Sequence, residues 1–230
     1  MTSSFKFLLA ITQLWLIFSA GVVLSQEPDH GPLGFIRMLN AVSVGTGKLE
    51  VLIDGVAARP EGYELGNVTG GIALKPKAYS VEIRREGVKK GITKVDVRNN
   101  ETLTLIPFGE LMPAENGKPA QWEIRILRLK QFDPESKRTA TFVSVSHESE
   151  LKLELRQSTG KWETVIVKRL ELIRTDIKQS HGYLPLRYQD RDMKALSIAP
   201  SGNFVAVLYD DENGVVQAKT FIDYKYLSAD

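Results

Sequence analysis

The 230-residue chain contains no cysteine. This absence excludes disulfide bonds, thiolate metal ligands and a cysteine nucleophile, so the fold must depend on apolar packing and strand pairing. The chain also lacks a large excess of positive or negative charge, because 30 Lys and Arg residues nearly balance 28 Asp and Glu residues and leave a net charge of +2. The charges alternate along the chain without forming a basic block, so no nucleic-acid partner is expected.

Histidine is scarce as well. His30, His147 and His181 are not spaced like metal ligands on one strand or helix, and a zinc site needs three or four converging ligands. The acidic loop from Asp210 to Asn213 offers oxygen ligands, but it lacks the alternating ligand pattern of a calcium loop and is interpreted as a solvated turn. The sequence therefore predicts no metal site and no cofactor.

Serine hydrolases can present their nucleophile on a sharp turn with the motif Gly-x-Ser-x-Gly. This motif does not occur in the chain. Ser146 and His147 are adjacent, and strand alternation predicts that their side chains lie on opposite faces. They are therefore not interpreted as a catalytic pair, and the chain is predicted not to be an enzyme. The alternative is a hydrolase or acetyl-transfer enzyme that uses Ser146 or His147.

A long apolar run is present at the N-terminus, where Lys6 precedes residues Phe7 to Leu24. This pattern predicts a signal peptide over residues 1–25 that is cleaved after Ser25. The alternative is an uncleaved signal that anchors the chain, because a run of about 18 residues is at the lower limit for spanning a membrane. The rest of the chain is expected in the periplasm or outside a bacterial cell.

After Ser25, apolar and polar residues alternate with the period of half-buried strands. The alternation is seen at Leu49, Val51 and Ile53, at Val81 and Ile83, at Leu103 and Leu105, at Leu151, Leu153 and Leu155, at Val165 and Val167, and at Val205 and Val207. No segment keeps a helical period through three turns. The pattern predicts an all-β protein with antiparallel strands at the spacing of β-sandwiches.

The order of these strands indicates a tandem repeat. Tyr79 and Tyr183 occupy similar contexts about 104 residues apart, and the alternating runs that start at Thr102 and Asn203 are about 101 residues apart. Residues 35–39 are matched with residues 140–144 on the same basis.

Two domains follow from this repeat. The sequence predicts two tandem antiparallel β-sandwich domains of the Ig-like type, at residues 31–131 and 137–228. Between them, the polar segment from Phe132 to Arg138 contains a proline and has the composition of a short linker.

Four aromatic residues are candidate binding residues, because aromatic rings can stack on sugars or fill protein interfaces. Tyr63 lies in the irregular connection 56–67, and Trp162 begins the irregular connection 162–179, where binding sites are often found. Tyr224 and Tyr226 share a face near the C-terminus. Core packing is the alternative for each, and Trp122, like Trp162, is expected to cap the end of a core.

A family resemblance is carried by two short motifs. Residues 37–41, Arg-Met-Leu-Asn-Ala, fit an R-x-x-N-A opening, and residues 76–81, Pro-Lys-Ala-Tyr-Ser-Val, fit a P-x-x-Y-x-V strand. This order resembles the first domain of the periplasmic alginate O-acetylation accessory protein of the AlgF type and, more loosely, the exported repeat domain called DUF4397.

The resemblance to the AlgF type implies a non-catalytic periplasmic adaptor that helps pass acetyl groups to an exopolysaccharide such as alginate. Its partners would be cell-envelope proteins, including an acyltransferase system, or the polysaccharide itself. The resemblance carries over no catalytic residue. The alternative is a cell-surface structural or adhesion module of the DUF4397 type, and contact with a membrane is expected only through an uncleaved signal.

Overall fold

The computed structural model describes residues 31–115, 117–132, 138–158, 160–200 and 202–224. The predicted signal peptide, most of the predicted linker and Tyr226 lie outside these residues. Every regular element in the described ranges is a β-strand, which confirms the all-β prediction. Within the same ranges, the structure contains no helix with the length and hydropathy needed to cross a lipid bilayer.

The first half of the fold comprises residues 31–132. Its described part forms eight strands, β1 (Gly34–Met38), β2 (Thr46–Ile53), β3 (Val56–Ala57), β4 (Ile72–Leu74), β5 (Ala78–Glu86), β6 (Val88–Asp96), β7 (Thr102–Met112) and β8 (Gln121–Lys130). They are ordered β3-β2-β5-β6-β8-β7-β1-β4 in one sheet. The pairing of β6 with β8 involves Lys89 and Glu123, and the sheet bends there so that both of its parts enclose one apolar core.

The second half comprises residues 138–224. Its described part forms β9 (Thr139–Ser144), β10 (Glu150–Arg156), β11 (Trp162–Lys168), β12 (Leu172–Asp176), β13 (Gly182–Tyr188), β14 (Arg191–Ile198), β15 (Asn203–Asp210) and β16 (Val216–Asp223). These strands form two four-stranded sheets, ordered β11-β10-β13-β14 and β12-β9-β15-β16. Apolar side chains from both sheets pack into a second core.

The strand order of the second half repeats that of the first half, with each strand number raised by eight. The parallel pairs show the correspondence, because Phe35 is opposite Thr102 in the first half and Thr139 is opposite Asn203 in the second. Residues 35–39 therefore correspond to 139–143. The sequence-based match to 140–144 was wrong by one residue, a shift that would exchange the two faces of the strand.

The central strands β1, β7, β9 and β15 are buried on both faces. Along β15, Phe204, Ala206 and Leu208 enter the core of the second half, whereas Val205 and Val207 point to the first half. A strand with both faces covered needs apolar residues at consecutive positions, and β15 has them. The double burial of these strands means that one sheet of each half packs against the other half.

A third apolar core fills the space between the halves. The first half contributes Leu39, Ala41, Ile106, Phe108 and Leu129, and the second half contributes Val143, Val145, Val205, Val207 and Tyr209. This core is continuous across the predicted domain boundary, so the two halves share an apolar interface. Burial of apolar surface is the main stabilising contribution to such an interface.

A buried ion pair also crosses between the halves. Arg37 Nη1 donates to Asp223 Oδ1 at 2.8 Å, and the two side chains are only 4% and 5% exposed. The Arg37 guanidinium also lies 4.8 Å from the centre of the Phe221 ring. Burial raises the pKa of Asp223, and the nearby charge of Arg37 offsets part of that rise. Removing one partner alone would leave an uncompensated buried charge.

Two further contacts fix the halves against each other. Arg85 is buried, donates to the carbonyl of Val42 and lies 3.5 Å from Glu212 of the second half. Gly66 has a φ of 74° and leaves room for Tyr209, since a Cβ atom at this position would clash with the tyrosine hydroxyl. Both contacts need specific residues at close approach, so the relative position of the halves is defined by packing.

Candidate functional site

Ser146 and His147 converge on one carboxylate. Ser146 Oγ donates to Asp210 Oδ1 at 2.7 Å, and His147 Nδ1 lies 2.8 Å from Asp210 Oδ2. The expectation that the two side chains lie on opposite faces was wrong, because β9 ends at Ser144 and strand alternation does not extend to these residues. The turn after β9 brings both side chains to the end of β15.

This arrangement does not form a nucleophile with its base. A serine nucleophile needs a base such as imidazole to accept its proton, whereas the Ser146 hydroxyl donates to Asp210. Ser146 is fully buried, and its Oγ also accepts a hydrogen bond from the backbone of Glu148 at 3.2 Å. The cluster ties the turn after β9 to β15.

Arg169 extends this cluster to the first half. Its Nε donates to the carbonyl of Ser146 at 2.7 Å, and its Nη2 donates to Glu110 Oε2 at 2.6 Å. The guanidinium also lies 5.5 Å from the centre of the Phe108 ring. The polar residues around Ser146 therefore connect the two halves, which is a structural role.

The acidic loop after Asp210 forms the turn between β15 and β16. The carboxylate of Asp211 accepts hydrogen bonds from the backbone of Asn213 and Val215 at 2.9 Å and from Gln217 Nε2 at 2.8 Å. Burial opposes ionisation of Asp211, but these hydrogen bonds outweigh it and lower its pKa. Across the described residues, no group of three or more His, Asp or Glu side chains could hold a metal ion.

The predicted binding aromatics belong to separate parts of the fold. Tyr63 is 5% exposed and packs in the core of the first half, so its ring is not accessible for stacking. Tyr224 is 49% exposed, and its carbonyl accepts a hydrogen bond from Gln131. Tyr226 lies outside the described residues. Tyr63 and Tyr224 do not build one site.

Trp162 begins edge strand β11 on the outer sheet of the second half. Arg156 and Arg187 approach its ring, with their guanidinium carbons 5.2 and 4.4 Å from the ring centre. Glu154 holds Arg187 through a hydrogen bond of 2.9 Å. The tryptophan ring is therefore engaged in cation–π contacts. The connection 162–179 was expected to be irregular, but it contains strands β11 and β12. The alternation at Val165 and Val167 is consistent with β11.

Three exposed apolar residues lie together at the end of the β7–β8 hairpin. This hairpin arm, residues Glu110–Met112 and Gln121–Glu123, continues the ladder to the pair Met112 and Gln121. Leu111 is directly opposite Trp122, and the side chains of Leu111, Met112 and Trp122 are 51%, 37% and 38% exposed. Trp122 was expected to cap a core, but the arm leaves it partly exposed.

No family model and no curated protein matches the chain. The motifs behind the resemblance to the AlgF type can still be located in the structure. Arg37 forms the buried ion pair, Asn40 bonds to the carbonyl of Tyr63, and Ala41 lies in the core between the halves. Tyr79 and Val81 of the second motif lie in the core of the first half. All five residues have structural roles, so the motifs describe a fold more directly than a function.

A polar-rimmed cleft lies at the opposite end of the first half from the hairpin arm. It has a volume of about 470 Å³ and is lined by residues from β1, the end of β6, the β6–β7 connection, the start of β7 and the end of β8. Its size falls in the range of small-molecule sites. No sequence pattern indicates this cleft, because its lining residues come together only after the sheet bends between β6 and β8.

Proposed function

We propose that the chain is a non-catalytic, exported adaptor protein whose two halves are tandem Ig-like β-sandwich domains. The hairpin arm is its binding surface for a protein partner in the bacterial cell envelope. The observation that carries this proposal is the exposed cross-strand pair of Leu111 and Trp122. Exposed clusters of large apolar side chains with charged neighbours mark interaction surfaces, and tryptophan is enriched among residues that dominate binding energy.

The connection between the halves supports an adaptor role. The shared core and the buried pair of Arg37 and Asp223 hold the halves in one arrangement. A rigid support lowers the conformational entropy that is lost on binding. The hairpin arm is continuous with β7, whose Ile106 and Phe108 lie in the shared core, so its position is set by the body of the protein.

The location and the partner class rest on the sequence. The apolar run from Phe7 to Leu24 favours export to the periplasm or secretion. The resemblance to the AlgF type favours an acyltransferase system that O-acetylates an exopolysaccharide such as alginate, to which this protein would be an accessory. In this proposal the protein contributes binding and the partner contributes the chemistry.

Capture of partners from a cell-envelope extract tests the proposal. Wild-type protein is expected to retain a defined envelope protein, and the double variant Leu111→Ser/Trp122→Ser is expected to lose at least about 30-fold in affinity, since hot-spot residues contribute about 2 kcal/mol or more. The control is Ile92→Ser, because Ile92 is exposed on β6 outside the hairpin arm. Unchanged capture by the double variant, or no partner for the wild type, would contradict the proposal.

A structural or adhesion module on the cell surface is the second candidate. The observation that favours it is the length of the outer strands of the second half, since β11 and β12 have seven and five residues. Unpaired strand edges can pair with another chain. Concentration-dependent assembly, measured by sedimentation and abolished by proline at Thr164 or Ile166, would favour this candidate over the adaptor.

A further inference from the structure

The cleft of the first half opens where two parallel strands diverge. β6 and β8 pair at Lys89 and Glu123, and their far ends, at Asp96 and Lys130, lie on the two sides of the cleft. β7 starts beside them at Thr102. The cavity volume of about 470 Å³ could contain a small organic molecule.

The walls of the cleft combine an apolar base with a charged rim. Phe35, Val95, Val97 and Leu103 form the apolar part, and the last three also belong to or pack against the core of the first half. The rim carries three cationic side chains, Arg98, Arg128 and Lys130, and two anionic ones, Asp96 and Glu101. Positive charge is therefore in excess at the opening.

Arg128 and Lys130, the two cations of β8 that line the cleft, have no anionic partner among the described residues. Arg128 Nη2 donates to the hydroxyl of Thr93, a neutral acceptor. Neither Arg128 nor Lys130 forms an ion pair with any residue in the described part of the chain. Arg98, by contrast, has Glu101 at 4.0 Å. Among the described residues, the cleft cations without an ion pair are thus Arg128 and Lys130.

The geometry points to a binding site for a small organic acid in this cleft. The carboxylate binds between Arg128 and Lys130, and the hydrocarbon part of the ligand covers Val97 and Leu103. A guanidinium and an ammonium group are the side chains that bind carboxylates most strongly. The site is separate from the hairpin arm, so it does not depend on the proposed adaptor function.

An NMR titration of the ¹⁵N-labelled exported chain tests this inference. Hexanoate and benzoate are the probes, and 1-hexanol and benzyl alcohol are the uncharged controls. Either acid is expected to shift the amide signals of Val97, Leu103 and Gln131, and the alcohols are not. Inorganic phosphate distinguishes a site for any anion, because equal binding of phosphate would overturn the assignment to an organic acid.

Variants identify the groups that bind. Lys130→Gln and Arg128→Gln are each expected to raise the dissociation constant about tenfold or more, as for loss of a charged hydrogen bond. The matched control is Lys94→Gln, because Lys94 is an exposed cation on β6 that does not line the cleft. Equal weakening by Lys94→Gln, or no signal shift with either acid at millimolar concentration, would overturn the inference.

Discussion

The two halves of the molecule share one strand order but differ where they meet solvent. The first half has outer strands of two and three residues, β3 and β4, whereas β11 and β12 of the second half have seven and five. The hairpin β7–β8 has strands of 11 and 10 residues, but β15 and β16 have eight each. Both halves form their cores with the same strand order. Their outer strands and hairpins differ in length, and these exposed parts can therefore have different functions in the two halves.

Equivalent strands of the two halves form the interface, but equivalent positions in these strands carry different types of side chain. Register places Arg37 at the position of Thr141 in the second half, and Gln131 at the position of Asp223. Arg37 and Asp223 form the buried ion pair, and Gln131 Nε2 lies 3.4 Å from the same carboxylate. The ion pair therefore has no counterpart at the equivalent positions, which carry the uncharged residues Thr141 and Gln131.

The largest expected effect comes from breaking this pair. Arg37→Met leaves the buried Asp223 without its cation, and the free energy of unfolding is expected to fall by about 3–5 kcal/mol at neutral pH. Urea denaturation measures the change. The double variant Arg37→Met/Asp223→Leu is expected to recover most of the loss, since no buried charge remains. The control Lys77→Met, in an exposed pair with Asp54, is expected to change stability far less.

The destabilisation by Arg37→Met is also expected to depend on pH. Burial raises the pKa of Asp223 above that of the unfolded chain, so the stability from this group is complete below the unfolded pKa and is lost as pH rises through the folded pKa. Loss of Arg37 raises the folded pKa further. The destabilisation by Arg37→Met is therefore expected to be smaller at pH 4 than at pH 7. A cost that does not vary between these two pH values would contradict this account.

The next prediction asks whether the halves unfold together. Ile106 lies fully buried in the core between the halves, and neighbouring Leu105 lies fully buried in the core of the first half. Alanine at either position is expected to cost about 2–5 kcal/mol. Because the cores are adjacent along β7, both variants are expected to show one calorimetric transition at a lower temperature. A second transition that keeps the wild-type midpoint would show that the halves unfold independently.

Part of this architecture could be predicted from sequence for a simple physical reason. Strands with one face in water, such as β5 with Val81 and Ile83, show period-two alternation, and they were found. Strands covered on both faces show it only in part, because apolar residues also occupy the positions between, as in the run from Phe204 to Tyr209 around Val205 and Val207. Alternation alone therefore predicts the strand but does not indicate that its second face packs against the other half.

The polar clusters were harder to predict than the strands. Strand alternation predicts opposite faces for Ser146 and His147, and this prediction fails because the end of β9 at Ser144 cannot be located from the sequence. The exposure of Trp122 in the hairpin arm depends on how far β7 and β8 continue past the core, which the sequence does not indicate. The cleft depends on side chains from four strands, β1, β6, β7 and β8, and their proximity follows from the tertiary arrangement of these strands.

The smallest change in the free energy of unfolding is expected from substitutions at equivalent residues near the ends of β1 and β9. Asn40 Oδ1 accepts a hydrogen bond from the backbone of Val42 at 2.9 Å, and Asn40 Nδ2 donates to the carbonyl of Tyr63 at 3.0 Å. Ser144 Oγ accepts the matching bond from the backbone of Ser146, at 3.3 Å. Both residues are fully buried, so each helps satisfy a backbone group that water does not reach.

Asn40→Ala is expected to cost about 2–3 kcal/mol and Ser144→Ala about 1 kcal/mol, because the first removes two buried hydrogen bonds and the second removes one long one. Urea denaturation of the two single variants and the double variant measures both costs. The sites have separate partners, so the costs are expected to add within about 0.5 kcal/mol. Equal costs would show that the additional bond to Tyr63 contributes little, and that the two halves use this position in the same way despite their different residues.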